Sequence, residues 1–503
     1  MTERPTLLHD LVDAAGHRWP DLPAVSDGHT VLTHAELAEH SRQLAAALHA
    51  DGLRRGDRMV IALRRGTVLV PALAFAASRV GVAFSILHEQ VRGVPLAHAL
   101  DDCRPALVVS DDDSARTAAR EHGIPSVTPE ELNNREAAPR LADDVRGPLA
   151  VDPVCLIYTS GTTSAPKAVV STHEQAVFAV TAIQSALRYR ADDVVYSPLP
   201  LSFDYGLYQV FLGSHAGAHI RLAEAREAGP SLLRRLLECR ATVLPMVPSV
   251  ADRLAWLLRR PSDRRPPLRL LTNTGAVVSA RTLEELRAAL PGVRVQVMYG
   301  LTECKRATIM PPDGDLERPG SCGLPLPGTE VVACDERGGK LPAGEIGELT
   351  VRGPHVMAGY WRRPGPTAER FPRHQGLFPE LRTGDYGWVD TEGYVYFAGR
   401  RDDLYKERGF RVGTTEVEAA AGRVAGVLQA VVLPPAEGRG AELVVVAGID
   451  AADVLLRLRE QIEPAKIPRR CTVVEDLPLN ANGKVDRRAL AHRLHREREH
   501  RTP

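Results

Sequence analysis

The 503-residue sequence lacks the features of secreted, membrane-bound or nucleic-acid-binding proteins. Its seven cysteines are scattered, form no CxxC pair and leave an odd number, which favours a reduced protein over a disulfide framework or a zinc site. Lys plus Arg and Asp plus Glu both total 63, so no excess charge points to nucleic acid or an anionic membrane. The longest uncharged apolar stretch, residues 66–78, is too short to cross a bilayer, and the first residues form no signal-peptide pattern. These absences predict a cytoplasmic protein with no nucleic-acid or membrane partner.

The length and the hydrophobic pattern predict an α/β protein with more than one domain. Apolar strand-like runs, such as residues 58–63 and 268–271, alternate with helical stretches, such as residues 33–50 and 280–290. From about Gly344 the segments become shorter and are separated by glycines, which indicates a small β subdomain. The charged stretch 400–403 is the predicted joint between two domains, residues 1–400 and residues 401–503. The tail after Arg487 is predicted to be a surface helix with a frayed end.

One stretch, YTSGTTSAPK at residues 158–167, combines hydroxyl side chains, a glycine and a lysine directly after an apolar run. Hydroxyl donors, a close backbone approach at Gly161 and the cation of Lys167 suit a polyphosphate. The stretch is not a P-loop of the GxxxxGK[ST] type, because no Ser or Thr follows Lys167. Taken alone, a hydroxyl-rich loop with a lysine is more often an exposed turn.

Four further motifs follow in order: YGLTE at 299–303, RTGD at 382–385, GRRDD at 399–403 and PLNANGKV at 478–485. With the stretch at 158–167, they resemble the signature blocks of the adenylate-forming superfamily, which includes acyl-CoA synthetases, nonribosomal peptide adenylation domains and luciferases. The resemblance runs from about residue 10 to residue 492. It implies a large multi-subdomain N-terminal domain with a small mobile α+β C-terminal domain, and ATP-dependent adenylation of a carboxylate with Mg²⁺.

The resemblance also implies an ATP site. Two anions must meet during adenylation, so cations and donors have to neutralise them. The residues that would wrap the β- and γ-phosphates are Thr159, Ser160, Gly161, Thr162, Thr163 and Lys167, with Ser164 and Ala168 standing where glycine is common. The remaining assignments are Gly275 in the ATP site, Tyr299 against the adenine, Thr302 at the α-phosphate, Glu303 as the Mg²⁺ ligand, and Asp385 and Arg400 at the ribose. Singly, an Asp in TGD is more often a turn residue than a ligand.

Lys484 is the catalytic lysine that the resemblance implies, bridging the substrate carboxylate and the α-phosphate. A solvated loop lysine is the alternative for this Asn- and Gly-rich segment. Asp402 matches the family's hinge residue, about which the C-terminal domain rotates between an adenylating and a thioester-forming pose. In the second pose residues 409–413 would approach the pantetheine arm of the thiol acceptor.

The substrate pocket is predicted to hold one charge of each sign. Asp204 matches the position that pairs with the substrate ammonium in amino-acid adenylation domains, although it could instead cap the following helix. Arg306 falls at a specificity position, where it would select an anion, or form a structural pair with a carboxylate. The other predicted pocket residues are Tyr205, Tyr208, Ser249, Thr274 and Met298, with packing as the alternative role of the two tyrosines. A small amino acid with a second carboxylate, aspartate-like or glutamate-like and including β-amino forms, fits these charges.

Three functional classes follow from these motifs. The first is a stand-alone amino-acid adenylating enzyme that loads a discrete phosphopantetheinylated carrier protein in natural-product biosynthesis, expected because the sequence ends soon after Lys484. The second is an acyl- or aryl-CoA ligase, since residues 413–416 resemble part of some acetate-type CoA ligases. The third is a nucleotide-binding regulator, which retention of Lys167, Glu303, Asp385 and Lys484 disfavours.

Overall fold

The structure is a computed structural model that describes residues 5–63, 67–134, 147–159, 166–260, 264–374, 376–400, 404–407, 410–436, 439–462, 464–479 and 485–499. Its helices are α1 (Leu8–Arg18), α2 (His34–Ala50), α3 (Leu69–Val80), α4 (Gly93–Cys103), α5 (Asp113–Glu121), α6 (Pro129–Asn133), α7 (His173–Leu187), α8 (Asp204–Ala216), α9 (Leu232–Glu238), α10 (Pro248–Leu258), α11 (Ala280–Ala289), α12 (Gly314–Glu317), α13 (Pro364–Arg370), α14 (Thr414–Gly422), α15 (Ala451–Leu458) and α16 (Arg487–Glu499). In the described part of the chain, none of these helices has the length and apolar character needed to traverse a bilayer.

The strands of the first half are β1 (Pro23–Ser26), β2 (Val31–Thr33), β3 (Arg58–Ala62), β4 (Ala83–Ile86), β5 (Leu107–Ser110), β6 (Ser126–Val127), β7 (Pro153–Thr159), β8 (Lys167–Thr172), β9 (Val194–Ser197), β10 (His219–Leu222) and β11 (Val243–Met246). Those of the second half are β12 (Leu270–Asn273), β13 (Arg294–Tyr299), β14 (Thr308–Ile309), β15 (Ser321–Pro325), β16 (Glu330–Cys334), β17 (Gly347–Arg352), β18 (Gly359–Tyr360), β19 (Arg373–His374), β20 (Phe378–Val389), β21 (Val395–Arg400), β22 (Leu404–Glu407), β23 (Phe410–Gly413), β24 (Val427–Leu433), β25 (Glu442–Ala447) and β26 (Arg470–Val473).

Two large sheets carry the N-terminal part of the chain. The first is 14-stranded, with the order β16-β17-β20-β21-β15-β14-β13-β12-β11-β9-β10-β1-β2 and β19 paired beside β20. The second is 7-stranded, with the order β18-β8-β7-β4-β3-β5-β6. The neighbours from β13 to β1 in the first sheet run parallel, as do β4, β3, β5 and β6 in the second, which confirms the predicted α/β class.

The antiparallel region begins earlier than the sequence indicates. The glycine-punctuated segments were expected from about Gly344, but antiparallel pairing starts at β14 and continues through β15 and β21 to β20, β17 and β16. These strands extend the large sheet instead of forming a separate one. The early strands were missed because β14 is only two residues long, too short to show a periodic pattern.

The chain after residue 403 forms two smaller sheets, β22-β23 and β24-β25-β26, around their own buried cores. Helix α14 lies against β21, and the Thr415 hydroxyl donates a hydrogen bond of 2.6 Å to the carbonyl of Ala398. The expected tail helix is present as α16, and it buries Leu490 and Leu494 against the C-terminal sheet instead of lying free on the surface. A large N-terminal domain with a small C-terminal domain is therefore observed.

Candidate active site

The predicted phosphate-binding stretch begins at the end of one strand and ends at the start of the strand that pairs with it. Strands β7 and β8 pair so that Thr159 faces Lys167, and the Thr159 hydroxyl donates to the Lys167 carbonyl at 3.3 Å. Ser160, Gly161, Thr162, Thr163 and Ser164 lie outside the described residues. The hairpin directs the Lys167 ammonium over the ring of Tyr360, 5.3 Å from its centroid.

A tight turn follows β13 and brings the predicted nucleotide and substrate residues together. The amide of Ala307 donates to the Tyr299 carbonyl at 2.9 Å, which closes residues 299–307 into a loop. A Cβ at Gly300 would lie 2.2 Å from the Lys305 carbonyl, so only glycine fits there. Lys305 adopts a φ of 61°, which is uncommon for a residue other than glycine and is often found at functional sites.

Glu303 lies in this loop and is buried at 8% exposure. Its Oε1 accepts a hydrogen bond of 2.8 Å from the Tyr360 hydroxyl, and its carbonyl accepts one of 2.9 Å from the amide of Met357. Burial raises the pKa of Tyr360 far above its usual range, so the hydroxyl remains a donor. Thr302 lies beside Glu303 and is half-buried. The sequence analysis did not identify Tyr360.

The predicted adenine and ribose residues meet at the end of β13. The Tyr299 hydroxyl donates to Asp385 Oδ2 at 2.7 Å, and Asp385 pairs with Arg400 across strands β20 and β21. Burial raises the pKa of the Asp385 carboxyl, while Arg400 and the Tyr299 hydrogen bond act to lower it. The other carboxylate oxygen, Oδ1, is buried and accepts no hydrogen bond from the residues that the structure describes, with Arg400 Nε 3.4 Å away.

This arrangement fits ATP and Mg²⁺. A buried carboxylate oxygen without a donor at Asp385 suits the hydroxyls of a ribose. Gly275, with a φ of 88°, lies exposed just after β12. Within the described residues, no three His, Cys, Asp or Glu side chains gather into a metal site. A magnesium ion at Glu303 would therefore take its other ligands from phosphate oxygens and water, as is usual for this ion.

The two predicted pocket charges contact each other. Arg306 Nη1 donates to Asp204 Oδ2 at 3.1 Å, and the Arg306 side chain is 4% exposed. The guanidinium also lies 4.5 Å above the ring of Tyr205, whose hydroxyl is bound to the carbonyl and side chain of Thr272. Helix α8 begins at Asp204, and its N-cap residue is Phe203, so the alternative in which Asp204 caps the helix is not observed.

The other predicted wall residues lie around this pair. Tyr208, one turn along α8 from Asp204, is buried, and its hydroxyl has no hydrogen-bond partner among the described residues. The same holds, within the described part of the chain, for the buried Thr274 hydroxyl just after β12. Met298 is buried on β13, and Ser249 is half-buried in the first turn of α10. Two unpartnered hydroxyls leave donors for a polar ligand.

Lys305 is a pocket residue that the sequence analysis did not identify. Its side chain is fully buried, and its Nζ donates to the Thr302 carbonyl at 3.0 Å and lies 5.6 Å from the centroid of the Tyr208 ring. In the described part of the chain, no carboxylate lies within ion-pair distance of this ammonium. The positive φ turns the side chain inward, a feature that the run Cys304-Lys305-Arg306 does not reveal.

The predicted catalytic lysine and hinge lie outside the described residues. These are Lys484, in the gap between Leu479 and Val485, and Asp402, between β21 and β22. Leu479 and Val485 pair as an antiparallel bridge, so the base of the lysine loop is closed. Residues 409–413, predicted to face the pantetheine arm, are described from Phe410 onward, as strand β23.

The protein belongs to the AMP-binding enzyme family, whose model matches residues 12–361, and the family's C-terminal domain model matches residues 416–484. This result confirms the predicted superfamily, its fold class and the class of AMP-forming ligases.

Individual relatives support a narrower relationship. The chain is 32% identical over 522 residues to the phenyloxazoline synthase MbtB of Mycobacterium sp. (strain MCS), covering 97% of this chain and 42% of that protein. The crystal structure of VinN matches with a TM-score of 0.72 and 40% identity over 78% of this chain and 98% of VinN, and VinN has also been solved with L-aspartate. The o-succinylbenzoate CoA synthetase MenE of Bacillus subtilis, solved with ATP and magnesium, matches with a TM-score of 0.82 and 26% identity over 96% of this chain and 99% of MenE. The predicted activity, adenylation of an amino acid, agrees with the synthetase and VinN relatives.

Proposed function

We propose that this protein uses ATP and Mg²⁺ to adenylate a small amino acid that carries a second carboxylate, and then transfers it to the phosphopantetheine thiol of a separate carrier protein. The charge content of the pocket is the observation that carries the choice of substrate. Asp204 contributes one negative charge, whereas Lys305 and Arg306 contribute two positive charges. Buried charges are tolerated only when they are compensated, so an ammonium group can enter this positively charged pocket only together with an anion.

An acidic amino acid brings an ammonium group and a distal carboxylate together, so its side-chain anion offsets the charge of its own ammonium. Its ammonium would pair with Asp204, its distal carboxylate would bind Arg306 and Lys305, and its reacting carboxylate would face the nucleotide. A simple aliphatic acid would leave Asp204 without an ammonium partner, and an apolar amino acid would leave a buried cation uncompensated. The solved complex of VinN with L-aspartate supports the same class of substrate.

The nucleotide half of the site has a separate task. Lys167 and the hydroxyls of the hairpin would hold the β- and γ-phosphates, while Asp385 and Tyr299 would fix the ribose and adenine end. Bound Mg²⁺ would neutralise phosphate charge beside Glu303. Lys484 would approach the reacting carboxylate and the α-phosphate from the C-terminal domain, and rotation about Asp402 would then remove it so that the acceptor thiol can enter.

A CoA ligase is the second candidate, because MenE, which is named as a CoA synthetase, shares the fold over nearly the whole chain. The lower identity to MenE than to VinN, 26% against 40%, disfavours it. A single experiment separates the candidates: ATP–pyrophosphate exchange with a panel of acids, followed by a comparison of CoA and a phosphopantetheinylated carrier as acceptors. Aspartate-like or glutamate-like compounds should give the fastest exchange, and the carrier should be the better acceptor. If an acid without an amine gives the fastest exchange and CoA is the better acceptor, the protein is a CoA ligase and the proposed amino-acid adenylation is wrong.

A further inference from the structure

Tyr360 joins three elements of the nucleotide site, although it lies 57 residues from Glu303 in sequence. Its hydroxyl holds Glu303 Oε1 at 2.8 Å, and its ring lies beneath the Lys167 ammonium, 5.3 Å from the centroid. The residue thus contacts both the carboxylate expected to bind the metal and the cation expected to bind the phosphates.

The backbone fixes Tyr360 in this place. Strand β18 pairs antiparallel with β8, the strand that starts at Lys167, with Tyr360 opposite Val169. The Tyr360 amide donates to the Thr367 hydroxyl at 3.0 Å, and the ring packs edge-on against Phe371 with centroids 5.5 Å apart. The ring therefore cannot shift without disturbing the strand that carries the lysine.

The position of the ring separates two opposite charges. Glu303 is buried, and Lys167 lies over the ring of the same tyrosine, yet among the described residues no ion pair joins these two side chains. A direct pair between them would occupy the carboxylate and the ammonium that ATP and its metal require. The tyrosine ring faces the cation, which is a favourable contact, while its hydroxyl holds the anion on the other side.

We propose that Tyr360 is a positioning residue for the metal: it orients the Glu303 carboxylate toward the phosphates and keeps Lys167 from pairing with it. The hydroxyl performs the first task and the ring performs the second. Groups that orient a metal ligand commonly change metal affinity by about 10- to 100-fold when they are removed. This inference rests on the proposed use of ATP and Mg²⁺ but not on the choice of amino acid.

Metal binding without turnover tests the proposal. Mn²⁺, detected by electron paramagnetic resonance, is titrated into protein saturated with a non-hydrolysable ATP analogue. Tyr360→Phe should weaken Mn²⁺ binding by about tenfold, while the affinity for the metal-free analogue stays at the wild-type value. Tyr360→Leu also removes the ring, so affinity for the metal-free analogue should fall by about tenfold as Lys167 pairs with Glu303. Tyr396→Phe is the matched control, because the Tyr396 hydroxyl contacts Asp390 at 3.4 Å outside the site.

A double-mutant cycle with Glu303→Gln shows whether Tyr360 acts through Glu303. In the Glu303→Gln background, Tyr360→Phe should cause little further loss of Mn²⁺ affinity. Additive losses, or wild-type Mn²⁺ affinity in the single Tyr360→Phe variant, would overturn the inference. Thermal unfolding of each variant shows that the fold persists, and Tyr360→Phe remains the deciding variant if Tyr360→Leu does not fold. Failure of the wild-type protein to bind the Mn²⁺–nucleotide pair would instead contradict the proposed function.

Discussion

Replacing Arg306 with leucine should reverse the substrate preference, from an acidic amino acid to its uncharged counterpart. The Arg306 side chain is 4% exposed and lies 3.1 Å from Asp204, so it acts in a largely desolvated place. Two unit charges about 4 Å apart interact by roughly 4 kcal/mol at an effective dielectric constant near 20. Lys305 remains beside the pocket, so we expect the variant to lose about 3 kcal/mol of transition-state binding for the distal carboxylate, which is about 100-fold in kcat/KM.

Matched amides make the measurement selective. Pyrophosphate exchange is compared for aspartate against asparagine and for glutamate against glutamine, since each amide keeps the shape of the acid and lacks its distal charge. In the Arg306→Leu protein the acids should lose about 100-fold, whereas the amides should change by less than about threefold. The control is Arg253→Leu, because Arg253 is exposed on α10 and lies against Trp256.

The opposite result has a definite meaning. If acids and amides lose activity equally, Arg306 serves only as the structural partner of Asp204, the alternative that the sequence left open. This result would refute the charge-balance argument and, with it, the proposal of an acidic substrate. Thermal unfolding shows whether the variant retains its fold, since breaking a buried pair alone is destabilising by several kcal/mol.

Four further predictions concern other parts of the molecule. Lys484→Ala should reduce adenylation by orders of magnitude with an unchanged melting temperature, and near-normal exchange would remove this lysine from the mechanism. Asp402→Pro fixes the backbone φ, so thioester transfer should fall more than pyrophosphate exchange in separate half-reaction assays; equal losses would contradict the two-pose account. Asp385→Asn should weaken ATP binding by about tenfold in calorimetry, because a ribose acceptor loses its charge, and unchanged affinity would place the ribose elsewhere. Burial lowers the pKa of His173 from 6.5 to about 4, so the unfolded chain binds a proton below pH 6.5 that the folded protein does not, and His173 alone should contribute roughly 2 kcal/mol to the loss of stability between pH 7 and pH 5. His173→Gln keeps an acceptor for the Leu8 amide, 3.1 Å from Nδ1, and should make the urea-denaturation profile shallower by that amount, whereas a profile parallel to that of the wild type would refute the assignment.

The motifs predicted that Tyr299 and Asp385 belong to one site, although they are 86 residues apart, and the structure joins them by a 2.7 Å hydrogen bond. Tyr299 is the last residue of β13, whereas Asp385 lies within β20, and both strands belong to the same large sheet. The sequence thus indicated the site, although the roles of these residues in binding stay predictions.

Residues that depend on a backbone turn or a very short strand could not be predicted. Tyr360 belongs to a two-residue strand, which has no period to detect. The sequence alone suggests that Lys305 is a solvent-exposed lysine. Its left-handed backbone conformation instead directs the side chain into the pocket. A structural pair with a carboxylate was the alternative role of Arg306, but the sequence did not identify the partner, which in the structure is Asp204.

The tight turn at residues 299–307 restricts how a new substrate range can be engineered. Positions proposed to serve the nucleotide, Tyr299 and Glu303, and positions proposed to select the substrate, Lys305 and Arg306, share a loop that a backbone hydrogen bond closes. In a library that randomises this loop, any substitution that disturbs the turn should therefore also weaken ATP binding. Helix α8 reaches the pocket from a different element, so exchanges around Asp204 can alter selectivity while the nucleotide half stays intact. Directed evolution of this enzyme should thus start from α8.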